Sequence, residues 1–188
     1  MITSLPQSHA YPSTPGAPPT ELEALAPPPL LLPGESLHRY ELMRRAILIE
    51  LAPRSVIEWL LAIDVVELCW EIQRYRLVRQ KLLENHRQRA IEHCLRQIDL
   101  AGIPADLKDD ACQQIKRNAA TWRTDSDAAI EVEGRLSTYG FDQNSINAEA
   151  YHQAGQIFLT FEALIASAQN RRTGLLRELD RQRYCGPP

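Results

Sequence analysis

Between residues 55 and 100, apolar side chains recur at the three- and four-residue spacing of one helical face: Trp59, Ile63, Val66, Trp70 and Leu77, then Ile91, Leu95 and Ile98. Pro53 stops whatever precedes this stretch. Ser55-Val56-Ile57-Glu58 has the form of a capping box, in which a hydroxyl and a carboxylate satisfy orphan N–H groups of the first turn. At the far end, Ala101-Gly102-Ile103-Pro104 offers a left-handed cap and a residue that cannot continue the ladder. The pattern predicts one long amphipathic helix that the rest of the folded chain is built to cover.

The seam of that helix changes along its length. Up to Ile72 its other side is apolar as well, through Ile57, Leu61, Val65 and Leu68, so this half requires at least two partner helices. From Gln73 to Arg89 it turns polar, with Gln73, Gln80, Glu84 and Arg87 at or near partner-facing positions. These four form a candidate partner seam, either loosely packed or a place where something docks. A straight helix of this length would measure ~69 Å at ~1.5 Å per residue. A compact domain of about 150 residues has a radius of gyration of only ~15 Å. Either the helix breaks near Asn85-His86 or the molecule is elongated, and the elongated form is the expectation taken here.

The remaining elements follow from the same signals. Ser36 is an N-cap for a helix carrying Leu37, Tyr40, Met43 (or Leu42), Ile47 and Leu51 and ending at Pro53, which should fold back on the long helix. Leu107, Ala111, Ile115 and Ala119 give a short helix from Asp106 to about Ala120, broken by Trp122-Arg123-Thr124-Asp125. A second short helix runs from Ser126 or Asp127 to Thr138, with Gly140 as its cap. The last element starts between Asp142 and Ser145 and runs to about Arg183. Its stripe is Ile146, Ala150, Ala154, Ile157, Phe161, Leu164, Ala168, Leu175 and Leu179, widened by Phe158, Ile165 and Leu176. The expected fold is all-α: an elongated antiparallel pair of long helices with a short N-terminal helix and two short corner helices.

Residues 1–33 hold nine of the thirteen prolines, the composition of a disordered or polyproline II tail that cannot bury a core. P-x-x-P matches at Pro12 to Pro15 and Pro15 to Pro18 have no flanking Arg or Lys, so the tail reads as a spacer ahead of a single helical domain over residues 34–184. The net charge of −3 speaks against a generally basic nucleic-acid binder. Cys69, Cys94, Cys112 and Cys185 form no C-x-x-C pair and read as reduced thiols, with Cys185 the exposed one. No secretory signal opens the chain, and the most apolar stretch carries Glu58, Asp64 and Glu67, so a cytoplasmic protein without a membrane span is expected.

Pro33-Gly34-Glu35, Tyr40-x-Leu42, Leu51-Ala52-Pro53, the apolar run into Trp70, Arg74 to Leu77, Tyr139-Gly140-Phe141-Asp142, Ala148-Glu149-Ala150 and the Arg-rich final helix resemble a broad family of uncharacterised helical bacterial proteins over residues ~33–183. That resemblance implies no activity and carries over no functional residues.

Chemistry is sparse. Glu35/His38 and Glu149/His152 match the Glu-x-x-His pairing of di-iron bundles, but Glu35 opens a helix and His152 stands off the apolar stripe, so no metal is expected. His86, His93 and Cys94 cannot converge from one helix, since adjacent residues diverge by roughly 100°. No Gly-rich phosphate loop and no activated nucleophile is present, so neither cofactor nor catalysis is expected. Residues 71–96 carry seven Arg or Lys against three Glu, and residues 171–183 five against two. Arg74, Arg76, Arg79, Lys81, Arg87, Arg171 and Arg172 are candidate phosphate-backbone contacts. Against this, antiparallel packing should bring the Arg-rich end of the last helix near Glu58, Asp64 and Glu67, and the basic middle of the long helix near Glu149 and Glu162. The expectation is a non-enzymatic helical interaction or scaffold protein with a protein partner or self-association; the alternative is a nucleic-acid-associated accessory protein.

Overall fold

The computed structural model of the protein describes Leu22 and residues 29–185, without the side chain of Cys185. Among the described residues all regular structure is helical: α1 (Leu37–Leu51), α2 (Val56–Asp99), a single 3-10 turn (Ala105–Leu107), α3 (Lys108–Thr124), α4 (Ser126–Thr138) and α5 (Gln143–Cys185). The all-α class and the pairing of two long helices are as the periodicity predicts. Of the Pro-rich segment, residues 1–21 and 23–28 lie outside the described residues.

Local chemistry sets the ends. Ser36 Oγ accepts from Arg39 N at 3.3 Å to cap α1, which ends with Ala52 in the left-handed region (φ 41°). At the start of α2, Ser55 Oγ accepts from Glu58 N at 3.2 Å, while the Glu58 carboxylate reaches one residue past the usual position to accept from Arg54 N at 2.9 Å. Asp125 caps α4 by accepting from Asp127 N and Ala128 N, and Asp142 caps α5 by accepting from Ser145 N at 2.8 Å. Gly102 and Gly140 take the positive φ values, 81° and 86°, that end the preceding helices. α2 runs unbroken through Asn85-His86. The break expected over Trp122-Arg123-Thr124-Asp125 falls at its last residue, Asp125: α3 continues to Thr124, with Trp122 packed against the hydrophobic cluster of its unit and its Nε1 donating to Glu133 Oε1 at 3.0 Å.

The chain divides into two compact units, Met1–Arg74 with Ile165–Pro188 and Tyr75–Leu164. In the first, Tyr40 and Leu48 of α1, Trp59, Ala62 and Val66 of α2, and Leu179 of α5 share one buried cluster, which also takes Leu22 and, partly buried, Leu31. Two helices therefore cover the apolar start of α2, and Ile57 alone of its second apolar side stays exposed, at 56%. The ion pair Arg183–Glu58 at 3.5 Å and the contact Arg171–Glu71 at 4.0 Å show α5 antiparallel to α2 here. Arg183 also donates to the carbonyl of Leu51, an orphan acceptor at the end of α1.

In the second unit, Ala90, Ile91, Cys94 and Leu95 of α2, Ile115 and Ala119 of α3, Val132 and Leu136 of α4, and Ile146 and Ala150 of α5 form the core. Arg135 and Asp99 pair across α4 and the end of α2. The fully buried part of this core ends at Ala90 and Ala150, with the partly buried Leu83 packed against it. Beyond it, residues 75–89 of α2 and 153–164 of α5 bury only His86 and Ala154.

Candidate partner-docking face

Residues 75–89 and 153–164 of the second unit leave several apolar side chains without cover, as Leu107 and Ile130 are elsewhere in the unit. Leu77 is 59% exposed, Ile157 41%, Leu159 65% and Leu164 39%. Leu77, Ile157 and Leu164, all expected on apolar stripes, are thus partly in solvent. The two helices still touch: Tyr75 and Phe161 meet edge to face with ring centroids 6.5 Å apart, and Arg79 pairs with Glu162. What is missing is a further helix of the kind α3 and α4 supply to Ile91 and Leu95.

Along α5 the exposed residues Gln153, Ile157, Thr160 and Leu164 follow each other at steps of four, three and four, the alternation of a coiled-coil seam. None carries a charge. Over residues 143–164 the only charged side chains are Glu149 and Glu162, whereas residues 75–89 of α2 carry Arg76, Arg79, Lys81, Arg87 and Arg89 against Glu84. A helix face in free solvent is ordinarily studded with charge, so this α5 seam has the composition of an interface.

Of the candidate partner seam, Gln73 and Gln80 are exposed, Glu84 accepts from Lys81 Nζ at 3.0 Å, and Arg87 is tied down. Its guanidinium lies over the Trp122 ring at 5.5 Å and donates to Gln143 Oε1 at 2.9 Å. Glu84, beside the Lys81 ammonium, has its carboxyl held below the usual carboxylate range.

The candidate phosphate contacts are mostly engaged within the chain. Arg74, 17% exposed, is held by Glu35 through Nε at 2.7 Å and Nη2 at 2.9 Å, and also donates to the carbonyl of Leu30. Glu35 accepts in addition from Trp70 Nε1 at 3.2 Å and Leu32 N at 2.8 Å, and the Arg74 guanidinium above all draws its carboxyl down to about 2. Arg79 pairs with Glu162, Lys81 with Glu84, Arg171 lies 4.0 Å from Glu71, and Arg172 donates to Cys69 Sγ at 3.7 Å. Arg76 and Arg89 are exposed and have no ion-pair partner among the described residues. Glu35 as the hub of this network had no local sequence signal, because its partner Arg74 is 39 positions away.

His86 is a second feature that spacing did not reveal. It is 5% exposed, and its Nδ1 has no hydrogen-bond partner. Cys69, Cys94 and Cys112 are free thiols; burial, aided by the Glu149 charge, pushes the Cys94 thiol up. No group of three or more His, Cys, Asp or Glu among the described residues is arranged to hold a metal: Glu35 is spent on Arg74, and His38 and His152 are exposed. No helix among them is long and apolar enough to cross a membrane. A groove of about 410 Å³ in the first unit is lined by Asp64, Glu67, Glu71 and Arg171 over Leu68, Gly174 and Leu175. A cleft of about 220 Å³ lies between α3 and α4.

Comparison with the family models, the curated proteins and the solved structures finds nothing that matches this chain.

Proposed function

We propose that this protein is a non-enzymatic helical interaction protein that engages a protein partner through the uncovered stretch of α2 and α5 in its second unit. The observation that carries this is the uncharged seam Gln153, Ile157, Thr160 and Leu164, exposed on a helix whose neighbouring turns at Ile146 and Ala150 are wholly buried by other helices of the same chain. Ile157 and Leu164 are 41% and 39% exposed, so covering what remains is worth about 1 kcal/mol each, and an unpartnered apolar seam is a standing drive to associate. The engagement of Arg74, Arg79, Lys81 and Arg87 with groups of the same chain leaves fewer cations for a phosphate backbone and favours this reading over the nucleic-acid one.

The test is photo-cross-linking in the cell, with a photoreactive residue at position 157 or 164 and, as control, at the exposed Gln114 of α3. The expected result is a discrete adduct from 157 and 164 that is absent from 114 and is lost from 157 when L164E is added. No adduct from either seam position would overturn the proposal.

A further inference from the structure

The charges of the second unit narrow the choice of partner. At the edge of the uncovered stretch each long helix holds one charge left unmatched among the described residues: Arg89 on α2 is exposed and has no acid, and the half-buried carboxylate of Glu149 on α5, one turn before Gln153, accepts from Gln153 Nε2 at 2.8 Å and has no cation. A surface with an unmatched cation on one helix and an unmatched anion on the other is complementary to itself across a two-fold axis, since the α2 of each copy then meets the α5 of the other. Like would face like only if α2 met α2. The apolar part fits the same arrangement. Two helices without further cover, brought together with two more, make the four-helix core that neither copy completes alone.

We infer that this face is an interface between two copies of the chain, in which residues 153–164 of each copy pack on residues 75–89 of the other. Arg89 of each copy lies near Glu149 of its mate, and Ile157 and Leu164 fill the centre. The inference rests on the proposed function and names its partner.

Sedimentation velocity on the purified full chain over a wide concentration range tests it. The wild type should show a monomer–dimer equilibrium, and I157E or L164E should weaken the dimer by tenfold or more. Helical circular dichroism and urea unfolding check that each variant keeps the fold. The charge argument has its own test: R89E and E149R should each weaken the dimer when alone, and a one-to-one mixture of the two should restore it, because in the mixed pair both two-fold-related contacts join opposite charges. A wild type that stays monomeric at every concentration, a dimer indifferent to I157E and L164E, or a mixture no tighter than either variant would each overturn the inference. A monomer that still yields a seam-specific cross-link to a different protein overturns this inference and leaves the proposed function standing. The absence of any cross-link sinks both.

Discussion

Replacing Glu35 by Gln removes a charge while keeping the shape of the group on which four donors converge: Nε and Nη2 of Arg74, Nε1 of Trp70 and the Leu32 amide. The Glu35 carboxyl titrates at about 2 in the fold against 4.5 as its ordinary value. Taken at face value that depression is worth about 3 kcal/mol. With the side chain 14% exposed and water close by, screening reduces the figure to about 1–2 kcal/mol. The folded value lies below the unfolded one, so this stabilisation is fully present above about pH 4.5 and is lost as pH falls through about 2. In urea unfolding, E35Q should therefore be less stable than wild type by about 1–2 kcal/mol at pH 7, a drop of roughly 2–8 °C in Tm, and the difference should shrink to near zero at about pH 2. Hydrogen exchange should place the loss in α1 and the first half of α2, with α3 and α4 unaffected. Equal stability at pH 7, or a deficit that persists undiminished in acid, would refute the reasoning.

Other perturbations test other parts of the structure. His86→Leu removes a buried ring whose Nδ1 has no partner and should raise the urea midpoint, by about 1 kcal/mol in stability. Leu136→Ala, at a wholly buried position in the second unit's core, should cost ~2–5 kcal/mol in the same assay. Gly140→Ala forces a side chain into a backbone with φ of 86° and should cost about 1 kcal/mol. Cys94, buried and with its thiol pushed up, should react with iodoacetamide far more slowly than Cys69 or Cys112, as read by peptide mass, and should match them once the chain is unfolded. Labelled DNA should show no saturable, salt-sensitive rise in anisotropy; binding lost in R76A R89A would support the phosphate-contact alternative.

What the sequence made legible is what local chemistry decides. Ser36, Ser55 and Gly140 mark helix ends through groups a few residues away, and they hold those ends in the structure. The ion pairs Arg183–Glu58 and Arg79–Glu162 also follow from antiparallel packing of two readable helices. The misses are all tertiary. The run from Trp122 to Asp125 stops α3 only at its last residue, with Arg87 above the indole and Glu133 at its Nε1. His86, where a break of the long helix is one of two alternatives in the sequence, is instead buried in an unbroken helix. Leu77 and Leu164 carry the right period and are nonetheless exposed, because periodicity shows which face is apolar and says nothing about whether this chain supplies its cover. The polar turn of the α2 seam after Ile72 was visible; that the uncharged counterpart lies on α5 was not, because Ile157 and Leu164 look like ordinary core positions.

The most direct test is the mass of the adduct formed from a photoreactive residue at position 164. An adduct of twice the 21.3 kDa chain, abolished by I157E, is the predicted result. A chain that cross-links to nothing from this position, at the concentration found in the cell and at high concentration when pure, would contradict the account.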